Sequence, residues 1–77
     1  MKTEEIKKVF KRVRRDNEGF IPRETLRNLK ILVWDNALSY EIECPDSYDS
    51  SLIFEMEDGG ELTLHNPWQR AFLCYVS

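Results

Sequence analysis

The sequence predicts an α+β fold in which two N-terminal helices pack on a small antiparallel sheet of three to four strands, giving two layers. Three observations carry this prediction. Apolar residues recur at helical spacing through the first thirty positions, the spacing changes to period two from about Ser39, and "LIFEMEDGGELTLH" (52–65) has the outline of a hairpin.

Ile6, Val9, Phe10 and Val13 fall at i, i+3, i+4 and i+7, on one face of a helix over residues 3–15. Glu4 and Glu5 sit in its first turn and Lys11, Arg12, Arg14 and Arg15 toward its end, the arrangement that the helix dipole favours. "DNEG" (16–19) is turn chemistry. Pro22 suits the first position of a second helix over 22–31, where a missing N–H costs nothing. Leu26, Leu29 and one of Leu32 or Val33 form its buried stripe, and "ILVWDNALS" then passes from helix to strand without a sharp boundary.

Tyr40, Ile42 and Cys44 alternate with Glu41 and Glu43, the pattern of a half-buried strand, and "PDSYDSS" reads as a loop. In the hairpin, residues facing each other must share a side of the sheet. A two-residue Gly59-Gly60 loop would pair Glu57 with Leu62 and mix the faces. A three-residue Asp58-Gly59-Gly60 loop pairs Met56 with Leu62 and Phe54 with Leu64, and sets Glu57 opposite Glu61. After the "NPW" turn, "RAFLCYVS" is apolar on both faces, Phe72, Cys74 and Val76 on one and Ala71, Leu73 and Tyr75 on the other. Two helices cover one face of a small sheet, so the other, with Leu73, Tyr75 and Ile53, is left for a partner or a second copy of the chain.

At 77 residues, 42% hydrophobic and 32% charged, the chain has the composition of one folded domain, 1–77, too small for a deep enzymatic cleft. It carries no run of apolar residues long enough to span a membrane, and acids and lysines occupy its N-terminus where a signal peptide needs an apolar stretch; a cytoplasmic protein is expected. Two cysteines are far from the density of a secreted disulfide scaffold, and the expectation is two buried thiols. Charge is unevenly divided. Residues 1–30 hold ten Lys/Arg against five acids, net +5; residues 31–77 hold Arg70 against nine acids, net −8.

Residues 6–29, "IKKVFKRVRRDNEGFIPRETLRNL", resemble an EF-hand: Ile6, Phe10 and Val13 match the entering helix, Gly19 the sharp turn, Ile21 the apolar position after it, and Leu26 and Leu29 the exiting helix. The resemblance implies a helix-loop-helix. It does not extend to calcium, because the family's first and last ligands are an aspartate and a bidentate glutamate, and Arg14 and Thr25 stand in those places. A degenerate, calcium-free EF-hand serving as a protein-binding module is therefore one reading.

No catalytic, cofactor or metal site is expected. No motif surrounds Cys44 or Cys74, the one histidine, His65, precedes a turn where it would cap backbone, and no CxxC or HxxxH spacing suggests zinc. A winged helix fits the order of elements, but its wing would carry Glu57, Asp58 and Glu61, the wrong sign for DNA. Two binding surfaces remain. An acidic hairpin, Glu55, Glu57, Asp58 and Glu61, with Trp68 and Tyr75 as aromatic anchors, suits a protein partner with a basic surface. Lys8, Lys11, Arg12 and Arg15 could grip a polyanion, which makes a nucleic-acid-binding regulator the rival reading. The favoured expectation is a small non-catalytic regulator or adaptor acting by protein binding, with inhibition of a larger partner, in the manner of phage and mobile-element inhibitors, as its mode.

Overall fold

Helix α1 runs Thr3–Asp16 and buries Ile6 and Phe10 completely, with Val9 and Val13 packed at the margin of the core. The structure is a computed structural model; it describes residues 2–46, 49–68 and 75–77, with Tyr75 described by its backbone alone. Helix α2, Arg23–Asp35, buries Leu26, Leu29 and Val33. It extends four residues beyond the expected end because Val33, one turn after Leu29, continues the apolar stripe. Pro22 lies just outside the helix, and its carbonyl accepts the first helical hydrogen bond, from Leu26 N–H, at 2.8 Å.

Both helices stop in the same way. Asn17 Nδ2 donates to Val13 O at 2.8 Å and Asn36 Nδ2 to Leu32 O at 2.9 Å, so each amide side chain folds back onto a carbonyl of the last turn. Between the helices Glu18 and Gly19 take positive φ, 56° and 90°, and Ile21 turns inward to full burial. The helix-turn-helix expected for residues 6–29 is present, closed by this turn and by Ile21.

Among the described residues four strands follow in a simple antiparallel meander: β1 (Ala37–Glu43), β2 (Ser51–Met56), β3 (Glu61–His65) and β4 (Tyr75–Val76). Leu52, Phe54, Met56, Leu62 and Leu64 project to one side and meet the helices in a single core. The molecule is a slab 18 Å through its thinnest dimension, the depth of one helical layer on one sheet. Ala71, Phe72, Leu73 and Cys74, expected in the last strand, lie outside the described residues; Val76 pairs with Leu64 and Tyr75 with His65.

Three expectations need correction. The hairpin loop has three residues as expected, but they are Glu57, Asp58 and Gly59. Met56 N–H donates to Gly60 O at 2.9 Å, and Gly59 N–H donates to Met56 O at 3.0 Å. Gly59, at φ +86°, is the left-handed residue, so Phe54 pairs with Leu62, Leu52 with Leu64, and Glu55, not Glu57, with Glu61. The shift is by two, which keeps every side chain on its expected face. Its cause is Gly60, where an added Cβ would lie 2.7 Å from Thr3 Oγ1: that glycine is needed for the approach of α1 and is not available for the turn.

Second, β1 is not half-buried. Tyr40 and Ile42 stand opposite Phe54 and Leu52 on the core side but are 50% and 44% exposed, because the helix layer stops short of this edge strand. Third, Cys44 is an exposed free thiol beyond the end of β1, at φ +53°, and not a buried one.

Asp58 ties the hairpin to α1. Its Oδ2 accepts Thr3 N–H at 2.8 Å, and its Oδ1 accepts the Thr3 hydroxyl at 2.6 Å and Gly60 N–H at 3.0 Å. Lys2, at the helix N-cap, supplies no side-chain cap, so a carboxylate 55 residues away takes that place. The Thr3 hydroxyl, then the Thr3 and Gly60 amides, hold the Asp58 carboxyl down from its ordinary 3.8 to about 2. Unfolding releases the group to its ordinary value, so its contribution is complete above that value and disappears as pH falls toward 2. Denaturant titrations across this range should show the wild type losing stability between about pH 4 and pH 2. The Asp58→Asn chain should start less stable at neutral pH and change less over the same interval.

Candidate acidic binding face

The outer side of the sheet, away from the helices, is built in three cross-strand rows. At the hairpin end lie Ser39, Glu55 and Glu61; next come Glu41, Ile53 and Thr63; last are Glu43, Ser51 and His65. Alternation along each strand places these residues together, since every neighbour in sequence points into the core or toward the sheet edge. Four glutamates thus share one face with Ile53, which is half-buried at the centre of the middle row. Ser39 Oγ donates to Glu55 Oε2 at 3.2 Å. None of the four has an ion pair among the described residues, where Glu4 and Asp16 pair with Lys7 and Arg15 on α1.

Glu55 and Glu61 stand directly opposite one another. Because Met56 and Gly60 exchange a backbone bond, the next pair along, Glu55 and Glu61, is of the non-hydrogen-bonded kind, in which side chains approach most closely. Like charges directly opposite one another work against the sheet. Glu61→Thr should therefore raise stability, by up to about 1 kcal/mol, as measured by denaturant unfolding at neutral pH.

The expected site residues divide among three places. Glu55 and Glu61 lie on the face, Glu57 is exposed in the loop at its margin, and Asp58 is committed to the start of α1. Trp68 is not beside the hairpin tip: it follows the opposite end of β3, about 17 Å away along a five-residue strand. There Lys30 Nζ sits 4.5 Å above its ring and donates to Pro67 O at 3.1 Å, beside a hollow of about 820 Å³ lined also by Arg23 and Arg27. The backbone of Tyr75 pairs with His65, at the end of the sheet away from the tip. Leu73 falls outside the described residues.

In the sequence Glu41 and Glu43 are only the polar half of a strand; the strand order puts them on the acidic face. Among the described residues His65 meets side chains and not the backbone it was expected to cap. Its ring lies between two hydroxyls, Nδ1 3.4 Å from Ser51 Oγ and Nε2 3.0 Å from Ser77 Oγ.

On the opposite side of the slab, Lys8, Lys11, Arg12 and Arg15 recur at i, i+3, i+4 and i+7 and form an exposed stripe along α1, with Arg15 Nε 3.6 Å from Asp16. The charge division between halves of the sequence is thus a division between layers. Among the described residues no three His, Cys, Asp or Glu side chains are grouped to hold a metal ion, and no helix is long and apolar enough to cross a membrane. No protein-family model, curated protein or solved structure matches the chain, so no membership of the EF-hand family is supported.

Proposed function

We propose that the chain is a cytoplasmic, non-catalytic regulator that binds a protein partner through the acidic outer face of its sheet, with Glu41, Glu43, Glu55 and Glu61 set against basic residues of that partner. Inhibition of a larger macromolecule is the mode this suits, since a small rigid face that covers a basic surface blocks whatever else that surface binds. The observation that carries the reading is the Glu55–Glu61 pair: two glutamates stand directly opposite one another across β2 and β3, at a cost to the sheet, with only Ser39 bonded to Glu55 and no ion pair to either among the described residues. A partner's Lys or Arg between them would convert the repulsion into attraction. Ile53 at the middle of the face supplies an apolar centre within a charged surround, the anatomy of many protein interfaces.

A second reading has its own observation. The α1 stripe of Lys8, Lys11, Arg12 and Arg15 is continuous and exposed, and would support polyanion binding. Capture from a lysate of the encoding organism separates the two. With tagged wild type, Glu55→Lys/Glu61→Lys and Lys11→Glu/Arg12→Glu chains, the acidic-face reading expects a protein partner lost only on the sheet substitution. Nucleic acid recovered by the wild type, released steeply by salt and lost on the helix substitution, would establish the second reading instead.

A further inference from the structure

The free edge of β1 carries more than an ordinary strand end. In an antiparallel ladder each residue directs both backbone groups to the same side, and successive residues alternate sides. Met56 bonds Gly60, and Asn66 N–H donates to Ser50 O at 3.0 Å, so the even-numbered residues of β2 face β3. Ser51, Ile53 and Glu55 therefore face β1, where they meet Glu43, Glu41 and Ser39. That leaves Tyr40 and Ile42 directing N–H and C=O outward from the sheet.

The same two residues place their exposed side chains on the core side, where Trp34, 39% exposed, lies edge-on to Tyr40 at 4.8 Å, and Leu38, 67% exposed, adjoins them. On the other side of the strand Glu41 and Glu43 extend the acidic face to this edge. Sheet edges are commonly blocked by lysine, proline or a bulge. Here the bulge lies between Ala37 and Ser39 and Pro45 beyond the strand, so among the described residues neither device falls within the stretch from Tyr40 to Glu43.

We propose that β1 accepts an added strand from the partner: an extended segment in which apolar residues alternate with Lys or Arg. Its backbone bonds Tyr40 and Ile42, its apolar side chains cover Tyr40, Ile42 and Trp34, and its cations lie against Glu41 and Glu43. A second copy of this chain fits less well, because β1 against β1 brings its glutamates near their own kind. The charge half of this inference rests on the acidic-face reading; the backbone half does not.

The probe is a labelled, acetylated nine-residue peptide alternating Val and Lys, titrated at low salt against the full chain by fluorescence anisotropy. It should bind at least tenfold more tightly than a peptide of equal composition with its valines and lysines in separate blocks. Ile42→Pro removes an outward N–H and fills the edge, a position where a sheet tolerates proline, and should weaken binding at least tenfold. Should that variant fail to melt cooperatively, a peptide N-methylated at alternate residues asks the same of the wild type. Unchanged affinity for Ile42→Pro, or for the methylated peptide, overturns strand addition. If Glu41→Lys/Glu43→Lys then still abolishes binding, the acidic residues of β1 hold the peptide without it. Loss on Ile42→Pro but not on Glu41→Lys/Glu43→Lys leaves strand addition and removes its charge half. A dimer in sedimentation that Ile42→Pro dissolves and that excludes the peptide would overturn the proposal in favour of self-pairing.

Discussion

Phe54→Ala should remove a large share of the chain's stability and lower its melting point steeply. The ring is completely buried at the centre of β2, pairs across the sheet with Leu62, and meets Trp34 edge-on at 5.2 Å and Tyr40 at 6.0 Å. Truncating a buried phenylalanine costs about 3–5 kcal/mol, the lost transfer energy plus the cavity left behind. A domain of this size has roughly 4–11 kcal/mol in total. At about 4–8 °C per kcal/mol, the midpoint should fall by about 12–40 °C in a thermal melt followed by circular dichroism. Phe20→Ala is the matched control. Phe20 is 55% exposed in the turn between the helices, and its removal should move the midpoint little. Comparable losses at the two positions would mean that the core is not where the sheet register puts it.

The second large effect concerns binding. Glu55→Lys/Glu61→Lys should weaken the captured partner at least a hundredfold by calorimetry. Each exchange removes an attraction and installs a like charge against a basic surface, and such juxtapositions cost several kcal/mol. The same substitutions exchange one like-charge pair across β2 and β3 for another, so the melting point should stay close to that of the wild type. Lost binding with stability retained is what distinguishes a functional face from a structural one. Asp58 has no place in this test, because reversing it would detach the start of α1 and lower stability for a different reason.

Much of the fold was legible in the sequence, and the misplacements have physical causes. Ile6, Phe10, Leu26 and Leu29 announce their faces by spacing, and one-sided burial in β2 and β3 makes Leu52, Phe54, Leu62 and Leu64 an alternation that survives any even shift in register. The register itself depended on which glycine took the left-handed position. That was decided by Thr3, 57 residues away, which needs Gly60 bare, and no local pattern carries such a contact. Tyr40 and Ile42 have the alternation of a buried strand, but whether a strand is covered depends on how far the helices reach across the sheet.

The candidate site was legible only in part for the same reason. Glu55 and Glu61 could be grouped from the hairpin, whereas Glu41 and Glu43 join them only once β1 is known to lie beside β2. Asp58 looked like one more exposed acid of the tip, and the hydrogen bonds that occupy it come from the other end of the chain. Trp68, placed beside the tip by the expectation, is separated from it by the length of β3.

The most direct test of the acidic face is a footprint of the bound state, taken as hydrogen–deuterium exchange or amide shift changes on the labelled chain with its captured partner. Changes centred on Glu41, Ile53, Glu55, Glu61 and Thr63, with α1 unaffected, are what the account predicts. Changes centred on Lys8, Lys11, Arg12 and Arg15, with the outer sheet face unaltered, would contradict it.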